Sequence, residues 1–207
     1  GALAQDTVIE TGESPLFRGE QLYQSGSYVA AVDVFQMADG LDRNEGVVGA
    51  SRSYAMLGRY DEAIQICEDL IGRGNYADFP LVSTQLAEML RTVGRSAEAL
   101  EIFAELVDPD IQAAPVRALV QYGSLLKFVN QKQRANGYLE AAVQRYNDGL
   151  VFASEDVAMV ALASWLLDWF HDANSLVNEA IRANPNNLDA QVLWGDKFLK
   201  KYNAADA

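Results

Sequence analysis

Histidine occurs once in this chain, at His171, beside Asp172 and three residues after Asp168. An imidazole among carboxylates could serve as a general base or supply one metal ligand. A zinc site needs several such ligands, however, and no H-E-x-x-H run or cysteine pair accompanies it. The group reads as an exposed imidazole at a helix start. Cys67, the single cysteine, falls in an apolar helical register with Ala63, Ile64, Ile66 and Leu70. That setting suits a small buried hydrophobe rather than a reactive thiol. Carboxylate pairs such as Asp61-Glu62 and Asp108/Asp110 lie at expected helix termini, where the helix dipole already accounts for them. No G-x-S-x-G, P-loop or G-x-G-x-x-G is present. Gly72-Arg73-Gly74-Asn75 follows no strand and reads as a loop. No catalytic, cofactor-binding or metal-binding residue is assigned to this segment.

What remains is binding chemistry, and charge bounds it. Sixteen Lys and Arg stand against 29 Asp and Glu, a net charge of -13 over 207 residues. Such a surface repels a polyanion, so DNA and RNA are disfavoured as partners. Half of the residues are apolar and 22% are charged, as in a soluble globular protein. No run of eighteen apolar residues exists, so no transmembrane segment is expected. One cysteine cannot form an internal disulfide and does not fix a redox compartment. After Gly1 the chain reads Ala2-Leu3-Ala4-Gln5-Asp6. Ala-x-Ala before a polar stretch matches a signal-peptidase site, which predicts an exported protein, periplasmic or extracellular, with residues 1–11 disordered.

The elements that must position any site come from a repeated stop and restart. Gly26, Gly58, Gly94 and Asn130 each follow an apolar helical stretch, at spacings of 32, 36 and 36. Glycine and then asparagine best tolerate the left-handed conformation that closes a helix. Five residues past each terminator sits an alanine: Ala31, Ala63, Ala99 and Ala135, with Ala173 a further 38 on. Four residues later come Phe35, Cys67, Phe103, Leu139 and Val177, and three more give Ala38, Leu70, Leu106, Ala142 and Ala180. This is one helix face marked small, large, apolar. Alanine at its centre lets paired helices approach closely. The pattern predicts helix pairs at 13–25/28–40, 45–57/60–73, 79–93/96–107, 112–129/132–146 and 154–167/170–183, then a lone helix at 187–201. Asp148-Gly149-Leu150 is expected to separate the fourth pair from the fifth.

A unit of about 34 residues with A-x3-F after a Gly-bounded turn resembles the tetratricopeptide repeat (TPR). The resemblance covers roughly residues 12–201. It is fullest in the second unit, at Tyr54, Leu57-Gly58, Tyr60, Ala63 and Cys67. The fifth unit ends Ala180-Ile181-Arg182-Ala183-Asn184-Pro185, close to the family's usual exit. The fourth unit lacks the turn glycine and tyrosine, and the fifth has Asp168 where glycine is expected. The implied fold is all-α: a right-handed α-solenoid of about five helix-turn-helix repeats plus an extra C-terminal helix. Repeats would span 12–43, 44–79, 80–113, 114–149 and 154–186, with a partial sixth at 187–207. No single unit buries its apolar face alone, so stacking must supply the core.

The resemblance also implies a concave groove lined by the first helix of each pair, binding a peptide or partner protein. The matching positions are Glu20, Tyr23 and Gln24, then Arg52 and Met56, Glu88 and Arg91, Ser124, Lys127 and Phe128, and Leu162 and Trp165. Arg52, Arg91 and Lys127 would form a basic seam flanked by Tyr23, Phe128 and Trp165, suited to an acidic or carboxylate-ended peptide. A solvated mixed-charge face is the competing reading. The family's carboxylate clamp is not supported, because its asparagine positions hold Glu20 and Gly49. Trp165-Leu166-Leu167-Asp168-Trp169-Phe170 reads as inter-repeat packing or as an exposed patch. Tyr202-Asn203-Ala204-Ala205 resembles a turn opening a sixth second helix. That predicts a fragment whose last helix, exposed through Val192, Trp194 or Leu193, Phe198 and Leu199, invites self-association. Two functions follow: a non-enzymatic interaction scaffold, or the accessory region of a larger exported enzyme such as a peptidase.

Overall fold

Five times in this chain a helix is closed by a left-handed residue and the next begins two residues later. The backbone φ is 80° at Gly26, 74° at Gly58 and 85° at Gly94, and 65° at Asn130 and 64° at Asp168. At Gly58 the closure is made by two hydrogen bonds, Gly58 N–H to the Ala55 carbonyl and Arg59 N–H to the Tyr54 carbonyl, both 2.9 Å. These satisfy carbonyls that the helix end leaves without partners. The same pair recurs at Asn130 and Asp168, where Gln131 N–H reaches Leu126 and Trp169 N–H reaches Ser164, each at 2.8 Å. Asp168 therefore does what glycine does in the earlier turns, and the fifth unit is a hairpin like the others.

The computed structural model describes residues 13–72 and 74–203, with side chains through Gly195. The segment 1–11 expected to be disordered, the Ala2-Leu3-Ala4 export signal and Ala204-Ala205 lie outside the described residues. Among the described residues the chain holds eleven α-helices and no strand. The pairs are α1 (Pro15–Gln24) with α2 (Tyr28–Phe35), α3 (Arg43–Met56) with α4 (Tyr60–Ile71), and α5 (Pro80–Thr92) with α6 (Ser96–Val107). Then follow α7 (Val116–Phe128) with α8 (Lys132–Asn147), α9 (Ser154–Leu166) with α10 (Phe170–Ala183), and α11 (Leu188–Asn203). None of the helices is long and apolar enough to cross a membrane.

Ala31, Ala63, Ala99, Ala135 and Ala173 are all 0% exposed. The large positions after them, Phe35, Cys67, Phe103, Leu139 and Val177, are buried too. Burying a side chain the size of Phe103 contributes about 1.5–3 kcal/mol, so these positions carry much of the core. Most boundaries fall within two residues of the periodicity, and three differences have a structural account. Helix α2 stops at Phe35 rather than 40, because its end tightens into Met37 N–H to Val34 and Ala38 N–H to Phe35 bonds. Ala38 thus lies past the helix and is only half-buried. Helix α7 starts at Val116 rather than 112, since Pro115 disfavours helical backbone at the residue before it. Tyr202 and Asn203 continue α11 instead of opening a turn.

The chain forms two compact units, the first through Met89 and the second from Leu90, with the boundary inside α5. In the first, the Ser51 hydroxyl donates to the Ala63 carbonyl (2.9 Å) and accepts from Gln85 Nε2 (3.3 Å), tying α3 to α4 and α5. In the second, the Ser154 hydroxyl donates to the Ala180 carbonyl (2.9 Å) and accepts from Asn187 Nδ2 (2.7 Å). Gly149, at φ 70°, closes α8 between the fourth and fifth pairs. Arg117 of α7 reaches Asp189 of α11 at 2.7 Å.

Candidate partner-binding groove

Helices α1 and α3 of the first unit meet over one aromatic ring. Gly19 of α1 and Gly49 of α3 each face Phe35, and a Cβ added at either would lie 2.6 Å from the ring. Gly46 is as tight against the Phe35 carbonyl and the Ala38 methyl, both 2.6 Å from a built Cβ. Glycine inside a helix costs about 1 kcal/mol relative to alanine, and here it allows backbone to lie directly on Phe35. The ring takes the place of the missing side chains and forms the floor of a depression between the two helices.

That depression is an open cavity of about 430 Å³. Its walls are Leu16 and Phe17 from the first turn of α1, Val48 and Gly49 from α3, and Leu81 from α5, over Phe35. Glu20, Glu45 and Arg52 supply the charge. Phe17 is 55% exposed, a large apolar group left in solvent at the rim.

Of the residues expected in the groove, Glu20, Tyr23 and Arg52 come together. The Arg52 guanidinium lies 4.6 Å from the centroid of the Tyr23 ring and 3.9 Å from the Glu20 carboxylate. Tyr23 itself is buried and packs edge-on against Tyr28 at 5.5 Å, so it supports Arg52 from below. Gln24 donates to Glu20 at 3.2 Å. Met56, 52% exposed, lies on α3 but does not line the cavity. Glu88 is half-buried on α5.

In the second unit, Arg91 donates to the Gln121 side chain at 3.0 Å, joining α5 to α7. Lys127 donates to the Leu166 carbonyl at the end of α9. This bond brings the end of α7 beside Trp165, whose ring meets Phe170 edge-on at 4.9 Å. Phe128 points outward, 77% exposed, and Trp169 and Phe170 are 41% and 48% exposed. The aromatic run is thus packed within itself and half in solvent. Ser124 and Leu162 are half-buried.

Sequence reasoning missed Leu16, Phe17, Glu45, Val48 and Leu81. Four of them were within reach: Glu45 and Val48 precede Arg52 by seven and four residues, and Leu16 and Phe17 precede Glu20 by four and three. These are helical spacings on the faces already selected.

The titratable groups singled out for chemistry occupy other roles. Burial pushes the Cys67 thiol up to about 11, despite a hydrogen bond with Ser51. The His171 side chain is 96% exposed, 3.6 Å from Asp172. Among the described residues no group of three or more His, Cys, Asp or Glu is placed to hold a metal ion.

The chain matches no protein-family model and no curated protein. Solved structures do match. A thermophilic TPR protein of Thermus thermophilus is 20% identical with a TM-score of 0.60, over 89% of this chain and 97% of that one. A structure of nearly identical TPR-like repeats from Podosopora anserina is 16% identical with a TM-score of 0.53, over 82% of this chain and 92% of that one. The fold of this chain is therefore TPR-like: an all-α helical-repeat fold of the solenoid class.

Proposed function

We propose that this chain is a non-enzymatic interaction scaffold whose first unit holds a peptide or an extended segment of a partner protein against α1 and α3. The TPR-like fold supports a protein-interaction role. One observation carries the location: the cavity of about 430 Å³ between two first helices, apolar at its floor and walls and charged at its rim. An apolar concavity with a few oriented charges is the usual make-up of a ligand site. Phe17, exposed at the edge, supplies area that a bound side chain would cover.

Peptide display against the whole chain tests this. Enriched peptides should lose at least tenfold in affinity on Phe17→Glu, which puts a charge at the apolar rim. Leu41→Glu makes the same chemical change at a residue of the 3-10 turn Gly40–Asp42 that is 98% exposed and outside the cavity, and should leave binding intact. Peptides that bind the Phe17→Glu variant as tightly as the wild type would place the site elsewhere.

A further inference from the structure

The charges around this cavity point to a partner of one polarity. Arg52, its only cation among the lining residues, is already engaged, 3.9 Å from Glu20 and stacked over Tyr23. Glu45 is different. It is exposed in the first turn of α3, lines the cavity, and no cation among the described residues pairs with it. With Glu20 matched to Arg52, the cavity keeps one carboxylate, Glu45, that faces the N-terminal dipole of α3 but no cation among the described residues. The field of the whole chain, at a net -13, has the same sign.

We infer that the cavity takes a peptide carrying one apolar anchor, such as Leu or Phe, flanked by Lys or Arg. The anchor fills the cavity bounded by Leu16, Phe17, Val48 and Leu81, and the flanking cation pairs with Glu45. Charge complementarity of this kind sets specificity and speeds encounter, and it weakens as salt screens it. The basic seam expected along the groove pointed the other way, to an acidic ligand. That expectation needs Arg52, Arg91 and Lys127 available, and all three already have partners within the fold. This inference rests on the proposed groove function and adds the partner's chemistry to it.

The test uses two pools of amidated nine-residue peptides with a central Leu or Phe. One pool has Lys or Arg on both sides of the anchor, the other Asp or Glu, and the remaining positions are random. Each is passed over the immobilised full chain at low and high salt. The basic-flanked pool should be retained at least tenfold over the acidic-flanked pool at low salt, and the ratio should fall at least threefold with Glu45→Gln. Circular dichroism checks that this variant remains folded. Retention of the basic pool should also fall with Phe17→Glu, although that change adds negative charge.

Other outcomes overturn the inference in distinguishable ways. Equal retention of both pools that is still lost with Phe17→Glu would leave the groove reading standing and remove the charge preference. A basic preference indifferent to both Glu45→Gln and Phe17→Glu would be general attraction to an acidic surface, and would remove both. Loss of self-association with Phe17→Glu in sedimentation, without peptide retention, would make a second copy of the chain the occupant.

Discussion

The ring of Phe35 occupies the space that a side chain at Gly49 would need. A Cβ there would lie 2.6 Å from Cδ1 and Cε1 of the ring, while Phe35 itself is 4% exposed and cannot swing into solvent. This contact fixes the distance between α2 and α3 and sets the depth of the cavity above them. The second helix of the first repeat thus shapes a surface that belongs to the first helices.

Gly49→Ala should therefore destabilise the protein. Alanine gains about 1 kcal/mol in helix propensity, but overpacking against a buried ring costs about 1–3 kcal/mol. Gly137 is the control. It lies inside α8 with nothing within 4 Å of a built Cβ, so Gly137→Ala should stabilise by about 0.5–1 kcal/mol. Urea unfolding of the two variants should shift in opposite directions; shifts of the same sign would contradict the packing described.

The two turns without glycine offer a second test. Asn130 and Asp168 sit at φ 65° and 64°, where most L-residues are strained. Alanine at either position should lower stability by about 1 kcal/mol, and glycine should be neutral or stabilising. Thermal melting would read both. A melting point unchanged by Asp168→Ala would mean that the left-handed turn carries no strain there.

These turns show why the fold was legible in the sequence and the groove only partly so. A helix stop needs one residue that accepts positive φ, and a close helix pair needs one small residue. Both are local requirements with fixed spacing, so Gly26 to Asn130 and Ala31 to Ala173 marked the hairpins without tertiary information. Even the Asp168 exception fell at the expected place. The cavity depends on relations between elements. In the sequence Gly49 stands out only as a missing asparagine, whereas its role comes from Phe35, fourteen residues earlier on another helix. Leu81 enters from a third helix with no periodic link to α1 or α3. The engagement of Lys127 by the Leu166 carbonyl likewise spans 39 residues, and periodicity carries no record of it.

Cys67 makes alkaline stability a third measurement. Its thiol titrates at about 11 in the fold, against about 8.5 in an unfolded chain, because burial disfavours the thiolate. A raised value means that the folded state holds the proton more tightly. The contribution is therefore fully present below about pH 8.5 and is lost as pH rises towards 11. Between pH 7.5 and 10 the wild type should lose about 2 kcal/mol more than Cys67→Ala, from about 1.4 kcal/mol for each pH unit above 8.5. Comparing the two proteins removes the tyrosines, which also titrate in that range. Equal losses would show that the thiol is solvated in the native state.

Arg145 gives the last prediction, because it is a buried cation whose partners are backbone carbonyls. The residue is 8% exposed, and its guanidinium donates from Nη1 to the Ala114 carbonyl at 2.6 Å and from Nη2 to the Ile111 carbonyl. Burial lowers its pKa, while Asp110 and Asp156 act in the opposite direction. The fork ties the end of the loop between α6 and α7 to α8, while Asp108 at the loop's start accepts from Tyr138 and Asp110 accepts from the nearby amides of Gln112 and Ala113. Arg145→Met keeps most of the stem and removes both donors, leaving a buried carbonyl at Ala114 without its partner. That should cost about 1–3 kcal/mol. Arg145→Lys keeps the charge but cannot reach two carbonyls with one ammonium, so it should restore only part of the loss. Hydrogen exchange separates a local effect from a global one. The amides of Ala113 and Ala114 should exchange faster in the Met variant, while those of Gln131 and Trp169, in turns that Arg145 does not touch, keep their wild-type rates under native conditions. Unchanged exchange in the loop together with an unchanged melting point would mean that the fork does not hold it.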